Sequence, residues 1–134
     1  MINLPDYKKI HCIGIGGIGL SAIAEILLSR GYEVSGSDMR ESEMTERLIE
    51  QGARIYLGHR AKNVDDVDLV IYSSAIGRDN PELARADERG IPAITRAQAL
   101  GVLMDEYRNS IAVSGTHGKT TTTSMVSLIL KEAQ

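Results

Sequence analysis

Two glycine-rich stretches hold the residues whose types and spacing suit them to phosphate chemistry. The first is Gly14-Ile15-Gly16-Gly17-Ile18-Gly19, a G-x-G-x-x-G pattern with one extra glycine. Glycines at these places let the backbone turn sharply and come close to a diphosphate, and a following helix aims its N-terminus at the negative charge. Asp38 stands nineteen residues after Gly19, where a carboxylate at the end of the next strand would meet a ribose. A plain structural turn has the same glycines. Nucleotide binding is favoured by context: a strand precedes the loop, a helix follows it, and it comes first in a βαβ unit.

The second stretch is Gly115-Thr116-His117-Gly118-Lys119-Thr120-Thr121. Lys119 can reach terminal phosphates, the Thr120 hydroxyl can ligate magnesium, and the amides between the glycines form an anion nest. The strict phosphate-loop pattern needs glycine five residues before Gly118, and Val113 stands there, so the match is to a shorter G-T-H-G-K-T form. His117 lies inside the loop, placed to touch nucleotide rather than to act as a base. The bland alternative is a surface Gly-Lys-Thr with no role. Together the loops imply two anionic ligands, a nucleotide diphosphate and a nucleoside triphosphate. A nicotinamide-dependent redox or regulatory domain would use only the first loop, and a simple nucleotidase only the second.

The elements that must hold these loops repeat as strand, helix and glycine. Strands are predicted over 9–15, 32–37, 54–57, 68–72, 91–95 and 110–114. Helices are predicted over 18–30 and 43–51, from the Asn80-Pro81-Glu82 start, from about 95 to 107, and from 119 onward. Asn80 reads as an N-cap, Pro81 as a first-turn proline and Glu82 as a first-turn acid. Thr95 and Gln98 have capping-box spacing. Three helices end in a glycine that leads directly into a strand, at Gly31, Gly52 and Gly90. Alternation with such short connections predicts an α/β fold, a parallel Rossmann-like sheet with helices on both faces. A polar break at Tyr107-Arg108-Asn109 is the one candidate boundary, dividing a first domain over 1–107 from the start of a second over 108–134.

Composition excludes several classes. The 134 residues are 43% hydrophobic and 25% charged, which is globular rather than disordered or membrane-like. With no Trp, no Phe and 5 Tyr, packing falls to Ile, Leu, Val and Ala. Fifteen basic against 18 acidic residues give a net charge of −3, which argues against nucleic acid as a partner. The most apolar stretch, over 10–28, carries His11, Glu25 and four glycines and reads poorly as a membrane span. One cysteine and no apolar leader lead to the expectation of a cytoplasmic protein.

His11 and Cys12, within the first strand, read as core residues more than as chemistry. A helix N-terminus near Cys12 leaves some reactivity open. The charged run over 38–47 reads as a solvated loop and helix face. Ser73 and Ser74 end the fourth strand, where hydroxyls would face the ligand crevice of a parallel sheet; ordinary strand-end serines are the alternative.

The runs IHCIGIGGIGLSAIAEILLSRGYEVSGSD, YSSAI with Asn80-Pro81-Glu82, and AVSGTHGKTTTTSM resemble the bacterial Mur ligases over nearly the whole chain. Within that family the resemblance is to the branch that joins L-alanine to UDP-N-acetylmuramate, with a murein-peptide recycling branch as the nearest competitor. The resemblance implies an N-terminal UDP-sugar domain, a central ATPase domain and a C-terminal domain. This chain would hold the first and the opening strand, loop and helix of the second, so by itself it is expected to be catalytically inert. It further implies ATP and Mg2+ as cofactors and an acyl phosphate intermediate. Carried over by position, Gly14, Ile15, Gly16, Gly17, Ile18 and Gly19 would bind the UDP diphosphate, with Asp38 near the uridine. His59 would contact the base, or else be an ordinary loop histidine, and Ser73 and Ser74 would reach phosphate or sugar. Gly115, Thr116, His117, Gly118, Lys119, Thr120 and Thr121 would bind ATP, with Lys119 on the phosphates and Thr120 on magnesium.

Overall fold

Each glycine that follows a helix turns the chain back toward the sheet, and the described backbone is built from that repeat. The computed structural model describes the backbone of residues 2–114 and the side chains of residues 2–105. Strands β1 (Lys9–Ile13), β2 (Glu33–Asp38), β3 (Arg54–Leu57), β4 (Leu69–Tyr72) and β5 (Ala93–Thr95) alternate with helices α1 (Ile18–Ser29), α2 (Glu43–Glu50), α3 (Pro81–Glu88) and α4 (Arg96–Ser114). Two short 3-10 turns, Leu4–Asp6 and Ala61–Val64, complete the order. The sheet is parallel throughout, in the order β3-β2-β1-β4-β5.

The expected helix boundaries have visible causes. Asn80 Oδ1 accepts the amides of Glu82 at 2.9 Å and Leu83 at 3.3 Å, capping α3. Thr95 and Gln98 exchange backbone-to-side-chain bonds of 2.8 and 3.1 Å at the start of α4. A capping box that the sequence reading passed over, Ser42 with Thr45, starts α2. At the helix-to-strand junctions Gly31, Gly52 and Gly90 all have positive φ, the conformation that brings the next strand alongside without a Cβ clash.

Alternation along β1 divides the core between two faces. Ile10 and Cys12 pack with Leu27, Leu48, Leu69, Ile71 and Leu103, beneath α1, α2 and α4. Ile13 packs with Val64, Val70 and Ala86, beneath α3. The buried apolar residues are Ile, Leu, Val, Ala and Cys12, as a chain without Phe or Trp requires. No helix among the described residues is long and apolar enough to cross a membrane.

One expected strand is absent. Residues 110–114 continue α4 instead of forming a sixth strand. A five-residue apolar run cannot by itself distinguish strand from helix, and its pairing decides. Among the described residues this run pairs with no strand and instead continues the hydrogen-bonded helix that precedes it. The loop over 115–121 and the final expected helix lie outside the described residues.

Candidate functional site

In the observed order, β1 is the central strand, with β2 on one side and β4 on the other. Strand order reverses there, which is where a doubly wound sheet opens a ligand crevice at the carboxyl ends of its strands. The first glycine loop leaves β1 at that point. Gly14 (φ +85) turns the chain, and the amides of Gly14 and Ile15 both donate to the Ser37 carbonyl of β2, at 2.8 and 3.1 Å. The amide of Gly17 donates to the Gly14 carbonyl at 3.1 Å and closes the turn.

Asp38, at the end of β2, reaches back into this loop. Its Oδ2 accepts the Gly16 amide at 2.8 Å and its Oδ1 accepts the Met39 amide at 2.8 Å. A Cβ on Gly16 would lie 2.8 Å from that Oδ2, so the glycine permits the approach. Ser73 also comes to the loop: its Oγ is 3.0 Å from where a Cβ on Gly14 would stand. Ile15 turns its fully buried side chain into the core over Gly36, while Ile18 stands 67% exposed. No side chain caps α1 at Gly17. The amides of its first turn therefore lack a side-chain acceptor, a state suited to an anion.

Arg96 was missed by sequence reasoning. As the first residue of α4 it lies just past β5, at the same edge of the sheet. Its stem crosses Gly19 so closely that a Cβ there would be 2.7 Å from Arg96 Cδ. A basic residue directly after the last strand is the signal that could have marked it.

A second omission lies on the α3 face. Glu82, read as a first-turn acid, is fully buried. Its Oε1 accepts from His11 Nε2 at 2.5 Å and Ser37 Oγ at 2.7 Å. Its Oε2 accepts from Asn63 Nδ2 at 2.9 Å and the Arg60 amide at 3.0 Å. Burial acts most strongly on this carboxyl and pushes its pKa up, but the His11, Ser37 and Asn63 donors outweigh it and hold the group below its ordinary value. The helical spacing of Glu82 and Ala86, both facing inward, was the available signal. His11 also meets Ser35 Oγ through Nδ1 at 2.8 Å. Both it and Cys12 are fully buried, and burial pushes the thiol up to about 12, which removes the reactivity left open for it.

The structure thus gathers Gly14 to Gly19, Asp38 and Ser73 at one crevice. His59 stands nearby, after β3, with a side chain 13% exposed and Nδ1 2.8 Å from Ser37 Oγ. Ser74 is exposed. Gly115, Thr116, His117, Gly118, Lys119, Thr120 and Thr121 lie outside the described residues. Among the described residues no group of three His, Cys, Asp or Glu is arranged to hold a metal. An open cleft at the opposite, amino ends of the strands mixes Lys8, Lys9, Arg30, Glu33, Asp66 and Asp68. Lys9 and Asp66 already pair there at 2.9 Å.

Residues 9–108 match the family model described as Mur ligase family, catalytic domain. The chain is 56% identical over 131 residues to the UDP-N-acetylmuramate–L-alanine ligase of Alkaliphilus metalliredigens, which covers 96% of this chain and 28% of that protein. It is 60% identical over 122 residues to the ligase of that name from Clostridium acetobutylicum, covering 91% of this chain and 27% of that one. The crystal structure of the UDP-N-acetylmuramate-alanine ligase of Thermotoga maritima superposes with a TM-score of 0.66 at 40% identity, over 93% of this chain and 29% of that chain. A Neisseria meningitides UDP-N-acetylmuramate:L-alanyl-gamma-D-glutamyl-meso-diaminopimelate ligase gives 0.66 at 32%, over 88% and 37%. The chain therefore spans less than a third of the length of the curated relatives described here. With the family model covering most of its residues, this chain belongs to the Mur ligase family.

Proposed function

We propose that residues 1–107 form the UDP-N-acetylmuramate-binding part of an ATP-dependent ligase that joins L-alanine to that sugar nucleotide in peptidoglycan synthesis. The observation that carries this reading is the Asp38-held glycine loop at the sheet's reversal point, opening onto an uncapped helix N-terminus. Loop and helix would take the diphosphate, Ser73 would add a hydroxyl, and Asp38 and His59 would lie toward the uridine. The names and identities of the relatives support this choice of sugar nucleotide. Ser74, exposed beside Ser73, is retained as a contact for the sugar.

Residues 108–134 would begin the ATP-binding domain. There Gly115, Thr116, His117, Gly118 and Thr121 would cradle ATP, Lys119 would bind its terminal phosphates and Thr120 would ligate Mg2+. In the proposed reaction the substrate carboxylate attacks the γ-phosphorus. ADP leaves, and the amine of L-alanine then displaces phosphate from the acyl phosphate. Catalysis of this kind is positioning and charge stabilisation. The parent ligase would act in the cytoplasm.

Calorimetry tests the first part directly. UDP-N-acetylmuramate is expected to bind and NAD(H) is not; the reverse result overturns the proposal in favour of a redox domain. The Neisseria relative's name shares the sugar nucleotide but carries a peptide in place of L-alanine. Comparing the two amines as substrates of the longer parent protein separates those branches.

A further inference from the structure

Ser37 Oγ carries one proton and lies between two acceptor-capable atoms, 2.7 Å from Glu82 Oε1 and 2.8 Å from His59 Nδ1. Glu82 is held in its charged form and has no proton to share. Were the Ser37 proton turned toward His59, two oxygens would face each other at 2.7 Å with nothing between them. The proton therefore goes to Glu82, and His59 Nδ1 must donate to Ser37. In the neutral imidazole this makes Nε2 the unprotonated nitrogen, the opposite of the tautomer that histidine favours in water.

Glu82 cannot impose this directly. Both of its oxygens are filled, by His11 and Ser37 on one side and by Asn63 and the Arg60 amide on the other, and His59 Nδ1 lies 3.7 Å from Oε2. The effect passes through Ser37. That residue's carbonyl also holds the first two amides of the glycine loop, so one residue links the buried carboxylate to both the loop and His59. Among the described residues Nε2 of His59 has no protein partner.

We propose that Glu82 is a positioning residue that acts through Ser37, holding neutral His59 protonated at Nδ1 so that Nε2 is offered to ligand as a hydrogen-bond acceptor. Resting on the sugar-nucleotide reading above, it assigns His59 a specificity role. An acceptor recognises a ligand hydroxyl or imide N–H and disfavours a phosphate oxygen. His59 thus serves the nucleoside half of the ligand and not its diphosphate.

Ring-nitrogen NMR on the full chain reads the tautomer without any ligand. At a pH where the ring is neutral, His59 is expected as the Nδ1–H form. Ser37→Ala, which leaves Glu82 three of its donors, is expected to shift it toward Nε2–H while the thermal transition stays cooperative. UDP should bind that variant about tenfold more weakly, the order of one lost hydrogen bond. An Nε2–H tautomer in the unmodified chain overturns the proposal even if the variant does not fold. So does a folded Ser37→Ala variant with tautomer and UDP affinity unchanged. If the unmodified chain shows the Nδ1–H form but binds no UDP, the positioning stands and the sugar-nucleotide reading fails.

Discussion

Asp38 Oδ2 and the Gly16 amide are joined at 2.8 Å, so the last residue of β2 grips the loop that leaves β1. The same carboxylate accepts the Met39 amide, which anchors both ends of the grip to backbone. Asp38→Ala frees two amides and is expected to cost about 1.5–3 kcal/mol, the range for bonds to a charged group. UDP affinity should fall with it. Asp38→Asn keeps one acceptor and should recover part of both losses. Denaturant titration and calorimetry on the two variants check the order.

Gly36 lies beneath the loop from the other side. A Cβ there would be 2.7 Å from Ile15 Cβ and 2.8 Å from the Cys12 carbonyl, and backbone cannot move aside cheaply. Gly36→Ala is expected to destabilise by about 1–3 kcal/mol, as overpacking does. Because Ile15 must shift, the neighbouring loop should lose UDP affinity as well. An alanine tolerated without loss in either measurement would contradict this packing.

Acid sensitivity follows from Glu82. Its folded-state pKa lies below the ordinary 4.5, so the unfolded chain binds this proton more readily. The stability it contributes is fully present above about pH 4.5 and is lost as pH falls through the lower folded value. Asp68, lowered chiefly by the Lys9 and Lys8 amides, adds in the same direction from the surface. Urea midpoints measured from pH 7 to pH 3 should therefore fall on the acid side. Glu82→Gln should flatten that fall while lowering stability at pH 7, since an amide nitrogen cannot accept the donors on one of its sides.

Cys12 is fully buried with its thiol raised to about 12. In the native chain at pH 8 iodoacetamide is expected to label it only through unfolding. Mass spectrometry with and without denaturant checks this; rapid native labelling would contradict it.

Local signals were legible because they are local. Asn80 with Pro81, Thr95 with Gln98, and Gly31, Gly52 and Gly90 each act within a few residues, and all behave as the sequence led one to expect. The loop's position and the approach of Ser73 followed from the parallel topology. Glu82 escaped because its partners are far away: His11 is 71 residues distant and Ser37 45. At a helix start an acid already has a sufficient local reason to exist, the helix dipole, which conceals any second one. Arg96 was hidden in the same way, its contact with Gly19 crossing from the start of α4 to the start of α1. The misread run over 110–114 is the converse case, a short apolar stretch that fits strand or helix equally and here continues α4.

The central place of β1 bears on how the chain is made. Its first neighbour, β2, begins at residue 33, but the other, β4, begins only at residue 69. During synthesis β1, β2 and β3 can pair while the far side of β1 remains an open row of amides and carbonyls. Such an edge is a template for unwanted pairing with another chain. The strand that launches the glycine loop is thus paired on both sides only once residues 69–72 have emerged.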